Sequence, residues 1–470
     1  MDRRQFLRFA ALGAATGCLP ARAAKPGRVL IAGAGMAGLV AAWELRQAGY
    51  EVLVLEASAR SGGRVHTLRA PFSDGLHAEA GAGRIPNTHD LTLKYVRMLG
   101  LPLKPFYPSP NTDVVYMGGH REVAQPGKAL DLTQFGLKLT AREQEVGLDG
   151  LGHLYLADGV RECGQATAAG WPQDSLRRYG GVTIADFLKA KGASDSAMAL
   201  ICSGFETDSA IDFLRDLASH EVPQLYKIPG GNDRLPLALA AKLSGVITYG
   251  ARIVKIQPTG QNVEVTVEQG GRQQVMTGDY LITTLPFTVL RHIEITPGFS
   301  EAKQRAIREM KYGAVSRVYV QTKRRVWNAQ GNTGFARVDR PMEVWHPTWD
   351  QPGPRGLLVA YTYQELAQSI AAQSPQERIQ KMTAYFDQIH PGCQDNFELG
   401  HSWVWNEQPY ARGAYAIADP GATHTLLPAA MATESRVLFA GEHCSSRHGW
   451  IQGAIESSLR SVAQILKATA

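Results

Sequence analysis

Three glycines at positions 33, 35 and 38 and a glutamate at position 56 carry the clearest chemistry in this chain of 470 residues. Their spacing is G-x-G-x-x-G. Gly33 allows a tight turn, Gly35 lets the backbone approach a pyrophosphate, and Gly38 lets a helix pack closely on a strand. A helix that opens on such a loop offers unpaired N–H donors and a partial positive charge to phosphates. Glu56 follows Gly38 by eighteen residues, where a carboxylate can accept hydrogen bonds from a ribose diol. The combination predicts a dinucleotide site. Gly63-Arg64 suits a loop whose backbone passes the cofactor and whose guanidinium pairs with phosphate. Gly83-Arg84-Ile85-Pro86 sets a lone arginine in a loop poor in side chains, either an anion reader or a surface turn charge. Near the end of the chain, Gly441-Glu442 and Gly449-Trp450-Ile451 place an acid at a strand end ahead of a helix N-terminus. That arrangement offers a second cofactor contact.

These residues need particular elements to hold them. Val29-Leu30-Ile31 reads as a strand buried on both faces. An Ala/Leu/Trp-rich helix follows it to about Gly49, and a second strand runs from Glu51 to Leu55. Residues 121–226 carry apolar residues near helical spacing and read as an inserted helical lobe covering the site, with His220 a solvated or capping residue. Strand signals return after Lys227. A helix spans Asp233 to Leu243, Val246 to Ile256 pairs with Val263 to Val267, and Tyr280 to Thr284 is a buried strand. Val254, in the first of these, is assigned to the cofactor site. A helix from Glu301 leads into a strand Val315 to Thr322, and Gly356 to Tyr363 is another. The expected architecture is α/β: a Rossmann-type cofactor domain (28–66, 227–300 and 432–470), a mixed-sheet substrate domain (67–120 and 301–431) and the helical lobe.

Apolar residues make up 44% of the chain and charged residues 20%, ordinary values for a globular protein. The net charge is +6, but the basic residues are dispersed without interleaved aromatics, which argues against a nucleic-acid partner. The five cysteines are widely spaced with no C-x-x-C, so neither a metal motif nor a disulfide framework is expected. Residues 1–23 resemble a twin-arginine export signal: Arg3-Arg4-Gln5-Phe6-Leu7, an apolar stretch to Leu19, and Ala21-Arg22-Ala23 as the cleavage site. The apolar part is too short to span a bilayer. Cys18 lacks the leucine three residues earlier that a lipidation site would carry. The expected location is periplasmic or secreted.

The opening fingerprint with Gly63-Arg64, and the closing Phe439-Ala440-Gly441-Glu442 with Gly449-Trp450-Ile451, resemble the flavin amine oxidases, and within them the L-amino-acid oxidases. The resemblance runs from Arg28 to Leu466 and is weakest over the helical lobe. It implies FAD, with Gly83 and Ile451 also at the cofactor. It implies that Arg84 and Tyr361 hold a substrate carboxylate, that Trp450 forms an aromatic wall and that Gly449 offers a carbonyl to the substrate amine. Ala414 stands where monoamine oxidases carry a flavin-linking cysteine, so FAD should be noncovalent. Arg317 stands where the family usually has a lysine near flavin N5, and arginine cannot serve as a base at ordinary pH. Trp345, His346, Trp349, Trp403 and Trp405 could line an aromatic pocket. The implied reaction is oxidative deamination of an L-amino acid by hydride transfer from Cα to flavin N5, giving a 2-oxo acid, ammonia and, from oxygen, hydrogen peroxide. A mono- or polyamine oxidase, and a dehydrogenase using another acceptor, are the alternatives. The family's common homodimer is the oligomer the resemblance implies.

Overall fold

A computed structural model describes residues 27–469 except 126, 165–170, 172–175 and 221–223. Residues 1–23, where an export signal is expected, with Cys18, and the side chain of His220, lie outside what is described.

The cofactor half is a five-stranded parallel sheet. Arg28–Ala32 lies at its centre, flanked by Glu51–Glu56 and then Ile247–Tyr249 on one side, and by Tyr280–Thr283 and then Val437–Phe439 on the other. Val29, Leu30 and Ile31 are fully buried, because both faces of a parallel sheet are covered. One face packs under the helices Met36–Gln47, Arg234–Lys242 and Ile451–Thr469. The other packs on an antiparallel sheet built from Arg252–Pro258, Val263–Gln269 and Arg272–Gly278, edged by Glu294–Ile295. Three distant stretches of sequence thus pack together around these sheets. The run Val246 to Ile256 is not one strand, however. Gly250 takes a positive φ of 67° and turns the chain between two sheets: Ile247–Tyr249 joins the parallel sheet and Arg252–Pro258 the antiparallel one.

The second domain is a seven-stranded mixed sheet in the order Phe397–Val404, Val315–Thr322, Gly356–Tyr363, Met342–Trp345, Ala336–Val338, Val114–Met117 and His120–Val123. The strand His120–Val123 crosses the expected lobe boundary at 121, so the lobe begins after it. Val315–Thr322 is buried along its whole length, with a sheet neighbour on each side. The described part of this stretch is helical: Ala141–Gly164, broken at Gly147, then Arg177–Gly180, Ile184–Ala190, Asp195–Cys202 and Ala210–His220. It has its own apolar core around Leu151, Leu188 and Leu214. Among the described residues no helix is long and apolar enough to cross a membrane.

Candidate active site

A cavity of about 1010 Å³ runs from the glycine loop, past both domains, to the inner face of the lobe. At its cofactor end Gly33 has φ 101°, a left-handed turn that a side chain would strain. A Cβ placed on Gly38 would overlap the Gly33 carbonyl oxygen and come within 3.2 Å of Ile31 Cγ2, whereas one on Gly35 would meet nothing within 4 Å. Gly38 therefore serves helix–strand packing, and Gly35 faces open cavity at the N-cap of the helix Met36–Gln47. That is the cradle a pyrophosphate requires. Glu56 is bound to the loop it serves: Oε2 accepts from the Ala34 N–H at 2.7 Å, and Oε1 accepts from the N–H and hydroxyl of Ser58 at 2.8 and 2.6 Å. Oε1 thus accepts two bonds, and Oε2, which accepts one, retains lone-pair capacity for a diol.

The structure gives Arg64 a different first partner from the expected phosphate. Its Nη1 donates to Glu442 Oε1 at 2.6 Å and to the Ala414 carbonyl at 2.9 Å. Glu442 also accepts the backbone N–H of Gly449 at 2.9 Å and of Ala416 at 3.3 Å. Burial alone would raise the Glu442 carboxyl, but Arg64 beside it holds it down at about 2. Glu442 therefore ties the Gly63-Arg64 loop to the start of the last helix, and 378 residues of sequence separation hid that pair. Gly63, Arg64, Gly83, Glu442 and Ile451 all line the cavity. Gly38 and Val254 do not; Val254 is the extra residue at a register shift in Arg252–Pro258, next to the cavity-lining Ile253.

The other end is assembled by sheet register. Glu343 pairs across the ladder with Tyr361, Tyr361 with Arg317, and Arg317 with Trp403. Four residues from four strands thus form one row on one face, and all four line the cavity. Arg317 lies over the Tyr361 ring, 4.3 Å from its centroid, and donates to the Glu79 carbonyl. Tyr361 and Tyr415 both line the cavity. Arg84 enters from its glycine-rich loop with its guanidinium 5.0 Å from the Phe106 ring centroid and 5.2 Å from that of Trp345. Burial disfavours the Arg84 charge, but Glu343 more than restores it. Arg84 is thus no surface turn charge: it pairs with Glu343, a residue that sequence reading did not identify.

Trp345, Trp403 and Trp405 line the cavity as anticipated, whereas Trp349 does not: its indole donates to the Phe106 carbonyl at 2.9 Å. His346 faces a smaller neighbouring cavity of about 220 Å³ and bonds Trp327. Trp450 donates to Asp216 on the lobe helix Ala210–His220 at 2.6 Å, joining cofactor domain and lobe at the cavity mouth. Asp208, Asp212 and Asp216 line the lobe side, and burial with neighbouring acids lifts Asp208 to about 7. No lysine lines this cavity among the described residues. Lys311 pairs with Asp419 at the surface.

Known proteins resemble this arrangement along nearly the whole chain. The family model described as flavin containing amine oxidoreductase matches residues 36–466. YobN of Bacillus subtilis is 33% identical over 94% of this chain and 95% of its own. The flavin-dependent L-tryptophan oxidase RebO of Lentzea aerocolonigenes is 30% identical over 93% of this chain and 98% of its own. An L-amino-acid oxidase of Bothrops atrox is 27% identical over the whole of this chain and 93% of its own. Among solved structures, a putrescine oxidase variant superposes with a TM-score of 0.80 at 19% identity, covering 94% of this chain and 99% of its own. Cyclohexylamine oxidase from Brevibacterium oxydans superposes at 0.78 and 18% identity over the same shares.

Proposed function

The chain belongs to the flavin-containing amine oxidoreductase family, and on that premise we propose that it oxidatively deaminates an L-amino acid. FAD is its cofactor, and Ala414 in place of a cysteine leaves it noncovalent. The observation that carries the reading is Arg84. It is a half-buried guanidinium held between two aromatic faces, in the cavity that Tyr361 also lines. A planar fork of N–H donors suits a carboxylate, which amine substrates lack. Relatives named as oxidases of L-tryptophan and of L-amino acids support the same reading.

In this reading Arg84 binds the substrate carboxylate and the Tyr361 hydroxyl supports it. Gly449, whose φ of 76° is open to glycine, leaves room at the substrate amine. Trp403, Trp405 and Tyr415 confine the reacting carbon and exclude water, so orientation lowers the barrier. When bound, FAD supplies a two-electron acceptor that takes hydride from Cα and hands the electrons to oxygen. Burial raises the Tyr361 and Tyr415 hydroxyls above their ordinary range, so both act as neutral donors and not as bases. Arg317 contributes a fixed positive charge on the sheet. The imino acid hydrolyses to a 2-oxo acid and ammonia, and hydrogen peroxide accompanies it. Residues 1–23 would direct the folded protein out of the cytoplasm by the twin-arginine route.

Glu343 favours one competing reading. Because it neutralises Arg84, the same cavity could accept an amine with no carboxylate. Anaerobic bleaching of the flavin band across L-amino acids, their D-isomers and the decarboxylated amines separates the two. Bleaching by L-amino acids alone supports the deaminase reading, and bleaching by the amines alone refutes it.

A further inference from the structure

Glu343 has no part in the chemistry above, yet it stands inside the substrate end of the cavity. It neighbours Tyr361 on the side opposite Arg317. Both its oxygens are taken by Arg84: Nη1 donates to Oε1 at 3.2 Å and Nη2 donates to Oε2. The Tyr363 hydroxyl donates to Oε1 as well. Burial would raise the Glu343 carboxyl, but Arg84 outweighs it and keeps the group ionised below the usual carboxylate range. Even so, 39% of its side-chain surface is open, and what it faces is the cavity. The terminal edge of the Arg84 guanidinium, the edge that a planar carboxylate binds with two parallel hydrogen bonds, is therefore already filled by a carboxylate of the chain.

We propose that Glu343 is a specificity-determining residue, the resident counter-ion of Arg84 that an incoming substrate carboxylate must displace. The proposal rests on the reading of Arg84 as the carboxylate anchor. Its consequence is a fixed selection at the site. Affinity for any carboxylate is reduced by the fraction of molecules in which Arg84 is free. A plain carboxylate that enters leaves two anions sharing one guanidinium. A zwitterionic amino acid brings its own cation, so the local charge stays balanced when Glu343 is released from Arg84 into the field of Arg317. The site is thereby biased toward amino acids and against monocarboxylates of similar size.

The holoenzyme is titrated with benzoate, read by perturbation of the flavin absorption band, in the wild type and in Glu343→Gln, Tyr363→Phe and Arg84→Gln. Glu343→Gln should bind benzoate at least roughly tenfold more tightly, because the neutral amide competes poorly for the guanidinium. Tyr363→Phe, which loosens Glu343 without removing its charge, should tighten binding by roughly two- to fivefold. Arg84→Gln should abolish it. Unchanged or weaker binding in Glu343→Gln and Tyr363→Phe, with Arg84→Gln still abolishing it, overturns the exchange and leaves Arg84 as the anchor. Benzoate binding that ignores Arg84→Gln overturns the anchor reading itself, and no binding in any variant overturns the exchange. If Glu343→Gln fails to hold FAD, Tyr363→Phe decides alone, and unchanged binding there overturns the proposal.

Discussion

Gly35 and Gly38 lie in one loop and answer to different constraints, so alanine at each should fail differently. At Gly38 the new methyl group meets the Gly33 carbonyl oxygen and lies 3.2 Å from Ile31 Cγ2. The oxygen belongs to a turn pinned by the Gly33 N–H to the Leu55 carbonyl at 2.8 Å, so it has little room to yield. Overpacking of this kind costs about 1–3 kcal/mol, offset by up to about 1 kcal/mol of helix propensity. A net loss of about 2 kcal/mol corresponds to a Tm lower by about 4–8 °C for a domain of 150–250 residues. At Gly35 the methyl group points into empty cavity, and the backbone φ of −73° suits alanine. The cost there is only the weaker N-cap, about 0.5–1 kcal/mol. The methyl group would instead occupy the approach to the pyrophosphate, and a hundredfold loss of FAD affinity is about 2.7 kcal/mol. The assay is Tm with and without added FAD, together with flavin content after purification. Gly35→Ala should hold its cofactor-free Tm within about 3 °C of the wild type and lose the rise that FAD confers. Gly38→Ala should lose both. Full flavin content in Gly35→Ala, or equal damage to the cofactor-free protein by both variants, would refute this division of roles.

Arg84→Lys keeps the charge but loses the fork, and should lower kcat/KM for the best L-amino acid by roughly 100-fold, the worth of one charged hydrogen bond; an unchanged value in steady-state kinetics removes Arg84 from the site. Burial lifts the Glu79 carboxyl to about 7, so between its unfolded value of about 4.3 and pH 7 the folded state keeps a proton that the unfolded state has released, and stability falls as pH rises. Glutamine cannot titrate, so the Tm of Glu79→Gln relative to the wild type should climb from pH 5 to pH 8; a constant difference by scanning fluorimetry argues against that titration. Trp450→Phe removes the N–H that Asp216 accepts at 2.6 Å; with Asp216 exposed, the loss should be about 1 kcal/mol of stability, together with a raised KM as the lobe loses one of its ties to the cofactor domain, Arg215 to Ser446 being another. An unaltered KM would show that this contact does not shape the site.

The cofactor end was legible because its physics is local. Gly33, Gly35, Gly38 and Glu56 lie within one strand–helix–strand unit, where spacing along the chain maps directly onto spacing in the fold. The strands Val315–Thr322 and Gly356–Tyr363 were likewise legible to the residue. The break at Gly250 was not, since the apolar residues on either side of it read as one continuous strand and only the sheet that each half joins separates them. The substrate end obeys another rule. Arg317, Tyr361 and Glu343 come from three strands in the order second, third and fourth across a seven-stranded sheet, and they share a face only because of strand register. A slip of one residue in Met342–Trp345 would turn Glu343 away from the cavity and put Val344 in its place. Nothing near Glu343 in sequence encodes that register; it is set by pairing with Gly356–Tyr363 and by the apolar core around Val344 on the opposite face. Arg84 could therefore be singled out in its own loop, with the carboxylate role implied by resemblance, while its partner Glu343 could be read only from the folded sheet.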